Sequence, residues 1–254
     1  MAVISGGGWL KQLDTLLRGE RTTADALRGG IIDVPMRIFV PCAIGLGCIY
    51  GFCMGWFAMA ASAKNWMQLV ASTVKLPALF LLTLLVTFPS LYVFNALVGC
   101  RLGFRSALRL LVAAVVINMA VGASLGPILA FFTLSTTSYT FIVLLNVVLL
   151  TIAGFVSLGF LLRTLQRIEA VTNADAAMEA AAQGLVRRTS DVETGAANGI
   201  FKIWVIIYAL VGAQMSWLLR PFVGNPNMEF AWFRPREGNF FLSVFEHLRH
   251  FLGL

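Results

Sequence analysis

The sequence predicts an all-α protein that crosses a membrane with about five helices and carries an amphipathic helix near each end. Three observations predict this fold class. Hydrophobic residues make up 59% of the 254 residues, and the mean hydropathy is +0.84. Charged residues make up only 12%, whereas soluble domains contain about 25%. Finally, several apolar runs reach the roughly 20 residues that a helix needs to cross a bilayer.

Five apolar runs are long enough to cross a bilayer core as helices. They cover Ile38–Ala61, Leu76–Val98, Leu108–Leu134, Tyr139–Leu162 and Ile200–Leu219. The link between the third and fourth runs, TLSTTS, is short and uncharged, which predicts a tight hairpin. A long polar insert precedes the fifth run. Its Ala/Glu-rich first half should continue the fourth helix, and its second half is typical of a flexible loop.

Both ends of the chain carry amphipathic sequence. Near the start, large apolar residues share one helical face: Trp9, Leu10, Leu13, Leu16 and Leu17. Near the end, the same spacing recurs in Phe241, Val244, Phe245, Leu248 and Phe251 or Leu252. Each pattern favours a helix lying on the membrane surface, and packing on a soluble partner is an equal alternative. The resulting regions are 1–33 (amphipathic), 34–163 (four transmembrane helices), 164–199 (helical extension and loop) and 200–254 (fifth helix, aromatic segment and final helix).

The distribution of basic residues predicts the orientation. Counted on alternate sides of the five spans, about 11 Lys and Arg residues lie on one side and 6 on the other, with Lys64 and Lys75 taken as first-loop residues. The positive-inside rule then places the N-terminus in the cytoplasm and the C-terminus outside. We expect a multi-pass protein of the inner (cytoplasmic) membrane. The net charge of +7 follows from the same bias and suits anionic lipids, so nucleic acid is not an expected partner.

The first span contains a glycine ladder, which comprises Ala43, Gly47, Gly51 and Gly55 and lies within a run that includes GLGCIYGFCMGW. Glycine inside a helix costs roughly 0.5–1 kcal/mol relative to alanine. Within a membrane, small residues allow helix backbones to approach closely, and such approach drives helix association. A nucleotide-binding loop is excluded because no strand precedes the glycines and no Lys-Ser/Thr follows them. The ladder predicts a helix-packing groove. Its occupant could be a helix of this chain, a second copy or another protein.

Spans two to five each contain an amide side chain, and these are Asn95, Asn118, Asn146 and Gln214. They could form separate interhelical hydrogen bonds or converge on a polar cavity. No Asp, Glu or His lies near the middle of a span, whereas coupled transporters usually need an ionisable group there. The two histidines, His247 and His250, and the four cysteines lack the spacing of a metal site. We therefore expect no enzymatic activity, cofactor or metal.

The segment after the fifth span is QMSWLLRPFVGNPNMEFAWFRPREGNFF, in which prolines and aromatic residues alternate with arginines. Aromatic residues beside arginine suit the headgroup layer, but a span end needs only one or two of them. Two interpretations remain open, a docking surface for another membrane subunit and a cap folded on the chain's own helices. The candidate docking residues are Arg220, Phe222, Trp232, Phe233, Arg234, Arg236 and Phe241.

The stretch KLPALFLLTLLVTFPSLYVFNALVGCRLGFRSALRLLVAAVV, which starts at Lys75, resembles Yip1-like multi-pass proteins. The phrases FPSLYVFNALVG and QMSWLLRPFVG are similar to a widespread group of uncharacterised bacterial multi-pass proteins. The Yip1 resemblance implies five spans, a cytoplasmic N-terminus and a role in membrane organisation or partner binding without catalysis. The chain lacks the long acidic N-terminus common in eukaryotic members.

These patterns lead to two functional hypotheses. The first is a non-catalytic membrane scaffold or accessory subunit that assembles with another membrane protein or with itself through the glycine ladder and the aromatic segment. The alternative is a small-solute channel or transporter subunit that uses the intramembrane amides. Both place the chain in a lipid bilayer.

Overall fold

The computed structural model describes residues 8–20, 23, 35–61, 65–97, 104–182, 206–224, 230–233 and 240–252. The regular elements in these ranges are all helices, which confirms the all-α prediction. They are α1 (Gly8–Leu17), α2 (Met36–Ala61), α3 (Trp66–Leu97), α4 (Phe104–Ser135), α5 (Tyr139–Ala182), α6 (Ile206–Leu218) and α7 (Phe240–Phe251).

Four of these helices are long and apolar enough to cross a membrane, and the chain is a multi-pass membrane protein. The apolar stretches are Met36–Ala60, Trp66–Ser90, Arg105–Ser135 and Tyr139–Ile168. Helix α6 is apolar but shorter, and its described part is about 20 Å long at 1.5 Å per residue. Residues 200–205 of the predicted fifth span, and 183–199 of the polar insert, lie outside the described ranges. Helix α5 does continue past the apolar stretch to Ala182.

The second span begins earlier than the sequence predicted. Its helix starts at Trp66, ten residues before Leu76, so assigning Lys75 to the first loop was wrong. Lys75 lies inside α3 and only 4% of it is exposed. The preceding residues are apolar enough to continue the helix, and the charge of Lys75 is accommodated by contacts described below.

Helix α4 forms the centre of the bundle. Its segment 110–119 is buried at every position, because α2 packs on one side and α5 on another. In the most apolar stretch of α4, 61% of the residues are buried within the protein, whereas only 22% are buried in that of α5. The outward side of α5 carries exposed apolar residues such as Phe155 and Ile152, as expected for a helix whose outer face contacts lipid.

The bundle has two different ends. We call the end where α2 and α4 begin the basic end, and the end where α3 and α5 begin the cap end. Helix α1 packs at the basic end, where Leu13 and Leu16 are buried in one cluster with Phe39. Leu10 and Leu17 of the predicted stripe remain exposed. Part of the stripe thus packs on the chain's own core, whereas the sequence patterns suggested the membrane surface or a soluble partner.

The glycine ladder of α2 lies mainly against α3 of the same chain. A Cβ atom on Gly51 would lie 2.7 Å from the carbonyl oxygen of Ser72, and one on Gly55 would lie 2.8 Å from Leu69 Cα. At Gly47 it would meet Pro77 Cβ at 3.0 Å. Ala43 is buried in the core. The groove therefore contains a helix of this chain, so in this arrangement it is closed to another protein.

Replacing Gly51 with leucine should destabilise the bundle, because its Cβ would meet α3 backbone atoms that cannot move aside. Overpacking of this kind costs about 1–3 kcal/mol. Gly45→Leu is the matched control, since Gly45 lies in the same helix and nothing lies within 4 Å of its would-be Cβ. Thermal unfolding in detergent measures both. Equal midpoints for the two variants would contradict the assigned packing.

Candidate functional site

Three polar side chains of α3 form a stripe on one face of the helix near the cap end. This donor stripe consists of Gln68, Ser72 and Lys75, whose spacing of four and then three residues keeps them on one side of a helix. Their exposed fractions are 3%, 0% and 4%. Polar groups buried this deeply need hydrogen-bond partners, and the partners come from the segment that follows α6.

The cap segment, residues 220–224 and 230–233, is non-helical and presents backbone carbonyls to the donor stripe. Gln68 Nε2 donates to the carbonyl oxygens of Pro221 at 3.2 Å and Phe222 at 3.1 Å. The Ser72 hydroxyl also donates to the Phe222 carbonyl. The next carbonyl, that of Val223, accepts from the Tyr139 hydroxyl at 3.3 Å. Three consecutive carbonyls thus receive side-chain donors, which is how irregular backbone beside membrane helices becomes tolerable.

Lys75 connects two parts of the cap segment. Its Nζ donates to the Trp232 carbonyl and lies 3.4 Å from the Pro221 carbonyl oxygen. The same ammonium lies 5.0 Å from the ring centroid of Phe233 and 5.9 Å from that of Trp232. Carbonyl oxygens and aromatic faces both stabilise a cation. These contacts explain how a lysine can be buried inside a membrane-spanning helix.

The cap segment also fits closely against the bundle. A Cβ on Gly224 would lie 2.8 Å from Ala58 Cβ and would clash with Gln68 Cγ, so only glycine allows this approach. Val223 is buried in an apolar cluster with Phe57 and Leu76, and Phe222 packs against that cluster. The segment contacts α2, α3 and α5. It is therefore a cap folded on the chain's own helices, one of the two interpretations that the sequence left open.

The candidate docking residues separate into inward and outward groups. Phe222 packs inward, and Arg220 stacks on Trp217 with its Cζ atom 3.7 Å from the ring centroid. Trp232, Phe233 and Phe241 are 46%, 60% and 53% exposed. Arg234 and Arg236 lie outside the described residues. Of the described candidates, only the outward group is available to a partner.

Among the described intramembrane amides, no hydrogen bond joins one to another. Asn146 Oδ1 accepts from the Tyr50 hydroxyl at 2.8 Å, a buried bond between α5 and α2. Asn118 is buried, and its Oδ1 has no donor among the described residues. Gln214 is exposed on α6, and the side chain of Asn95 lies outside the description. A shared polar cavity therefore gains no support from the described amides.

The donor stripe is the functional feature that sequence reasoning missed. A signal was present, since Gln68, Ser72 and Lys75 recur at helical spacing within apolar sequence. Treating lysine as a loop residue concealed it. Within the described residues, no group of three or more His, Cys, Asp or Glu side chains is arranged to hold a metal ion.

Replacing Lys75 with methionine should free the cap segment, because hydrogen bonds to charged groups contribute about 1.5–3 kcal/mol. We expect the fraction of molecules whose cap segment is detached from α3 to rise tenfold or more. Spin labels on cysteines at positions 74 and 231, with the native cysteines replaced, report the distance between α3 and the cap. The distance distribution should broaden in Lys75→Met. It should stay narrow in Lys11→Met, which removes an exposed lysine of α1. Equal distributions would show that Lys75 does not hold the cap.

The Tyr50–Asn146 hydrogen bond should couple α2 to α5 energetically. Interhelical bonds of this kind contribute about 0.6–2 kcal/mol in membranes. We expect Tyr50→Phe and Asn146→Leu each to lower the free energy of unfolding, and the double variant to lose less than their sum. Unfolding in mixed micelles with increasing sodium dodecyl sulfate gives the values. Ser124→Ala is a suitable control, since that exposed hydroxyl bonds only within its own helix. Strict additivity would contradict the coupling.

No protein-family model, curated protein or solved structure matches this chain. The resemblance to Yip1-like proteins accordingly stays a prediction from the sequence. Two features of the structure bear on what the chain does, namely a cap segment that is hydrogen-bonded to buried donors and the outward aromatic pair that this segment carries.

Proposed function

We propose that this chain is a non-catalytic membrane scaffold or accessory subunit that binds another membrane protein, or a second copy of itself, at the cap end. The observation that supports this is the aromatic pair Trp232 and Phe233, exposed on a backbone that Lys75 holds in place. Aromatic side chains are the commonest anchors of protein interfaces. Anchors held in position before binding lose little conformational entropy when a partner arrives.

Lipid alone is a weaker explanation for this aromatic pair. Residues of the headgroup belt need only the right depth in the membrane, which a flexible segment supplies. Here a buried cation, Lys75, donates to the carbonyl of Trp232, and a neighbouring buried amide, Gln68, holds the earlier part of the cap segment at Pro221 and Phe222. Burying such groups is expensive unless they are paired. That expense is understandable if the orientation of the rings matters to a partner.

The proposed topology has five spans, a cytoplasmic N-terminus and an external C-terminus in the inner membrane of a bacterium. Helix α6 would be the fifth span, since the chain passes from the basic end, where α5 leaves the bundle, to the cap end, where residue 221 contacts Gln68. Exposed arginines at the basic end support a cytoplasmic location for it. They include Arg37 of α2, Arg105 of α4 and Arg163 of α5.

Photo-crosslinking in native membranes tests the proposed docking face. A photoreactive phenylalanine analogue at Phe233 should give a discrete adduct with one protein, identified by mass spectrometry. The same analogue at Phe155, which is 69% exposed on the lipid-facing side of α5, is the matched control and should label lipid. Adding Trp232→Ala should reduce the Phe233 adduct tenfold or more, since anchors of this type contribute about 2 kcal/mol or more.

The outcomes separate the alternatives. An adduct of twice the chain mass indicates self-association, and a different mass indicates a distinct subunit. If Phe233 labels only lipid, as Phe155 does, the docking function is wrong.

A further inference from the structure

Helix α7 packs against the protein through the side that carries His247. The imidazole ring centroid lies 6.1 Å from that of Tyr139, and the His247 Nδ1 atom lies 2.8 Å from the Ser243 carbonyl oxygen. Six large apolar side chains of α7 are nevertheless between 43% and 62% exposed, namely Phe241, Leu242, Phe245, Leu248, Phe251 and Leu252. An amphipathic helix on a water-exposed surface does the opposite and turns its apolar side to the protein.

A series of neighbouring aromatic rings connects the end of α7 to the end of α4. Phe131 and Phe132 of α4 lie 5.5 Å apart, Phe132 and Phe141 lie 5.4 Å apart, and Phe141 and Phe251 lie 6.4 Å apart, as ring centroids. Phe131 lies about one turn before the end of the α4 span and is 64% exposed. The end of α7 thus lies near the last turn of a membrane-spanning helix.

We infer that α7 is an interfacial helix whose apolar face is covered by the lipid of the bilayer that surrounds the bundle. Its apolar face is joined to the lipid-facing surface of α4 through the ring of Phe141. Such helices insert about 5–10 Å below the headgroups. Six half-exposed large side chains exceed what a soluble surface tolerates, since apolar patches there rarely pass a few hundred Å². The polar residues Arg249 and His250 are exposed in the last turn, where headgroup phosphates can pair with them.

Lipid is favoured over a second copy because the apolar face of α7 is a continuation of a surface that already contacts lipid. A protein partner would have to cover α7 and leave the adjoining Phe131 and Leu134 in lipid. The inference does not depend on the proposed docking function, which rests on Trp232 and Phe233. Failure of one leaves the other unchanged.

Spin labelling of the full chain tests this inference. Single cysteines at positions 245, 248, 246 and 250 are introduced after replacing the native cysteines. The labelled protein is reconstituted in vesicles of phosphatidylcholine with one quarter phosphatidylglycerol. Collision rates with oxygen, which concentrates in lipid, and with a water-soluble nickel chelate then report the surroundings of each label. A label at Phe155 gives the fully lipid-exposed reference.

Labels at 245 and 248 should collide with oxygen several-fold more than with nickel, at a depth of about 5–10 Å below the phosphates. Labels at 246 and 250 should favour nickel. Equal nickel collision at all four positions would place α7 in water and overturn the inference. Low collision with both reagents at 245 and 248, accompanied by spin–spin broadening, would indicate a second copy on α7. Low collision without broadening would indicate another protein. Both results overturn it as well.

Discussion

Backbone carbonyls that are buried against membrane helices need hydrogen-bond donors from the protein, and this requirement organises the cap end. The cap segment has no regular structure, so its carbonyls cannot be satisfied as they are in a helix. Helix α3 supplies the donors through Gln68, Ser72 and Lys75. The positions of the cap residues at these hydrogen bonds therefore depend on the position of α3 in the bundle.

The position of α3 depends in turn on the glycine ladder. Gly51 lies against the backbone of Ser72, and Gly55 lies against its side chain, with a would-be Cβ 3.0 Å from Ser72 Cβ. The hydroxyl of that same serine holds the Phe222 carbonyl. A single turn of α3 thus lies between the ladder and the cap. The geometry of the cap segment consequently depends on the packing of α2 against α3, although the glycine ladder and the cap segment are about 170 residues apart in the sequence.

Sequence patterns were sufficient where the determining interactions are local. Composition and apolar runs predicted five spans, of which four are long apolar helices in the structure and the fifth is a shorter apolar helix. They also predicted the tight α4–α5 hairpin, and the spacing of the ladder located a packing face. They failed where the stabilising groups come from distant positions. The partner of Asn146 is Tyr50, 96 residues away, and Lys75 is held by a carbonyl 157 residues further along the chain. Hydropathy assigns a lysine to a loop because it takes no account of hydrogen-bond acceptors that a distant part of the chain supplies. Likewise, the apolar stripe of α7 is visible in the sequence, but which side of α7 packs against the protein depends on Tyr139.

The choice of a lysine at position 75 has a geometric reason. The neutral donors Gln68 and Ser72 bind only the first part of the cap segment, residues 220–224, at the carbonyls of Pro221 and Phe222. Lys75 has three donor hydrogens at the end of a long flexible side chain. It reaches carbonyls in both parts of the cap segment, at residues 221 and 232. A buried ionic group is weak support for stability but can specify one arrangement among several. The second of these contacts is to the backbone of Trp232 itself. The ammonium group that joins the two parts of the cap segment therefore also sets the position of the exposed aromatic pair.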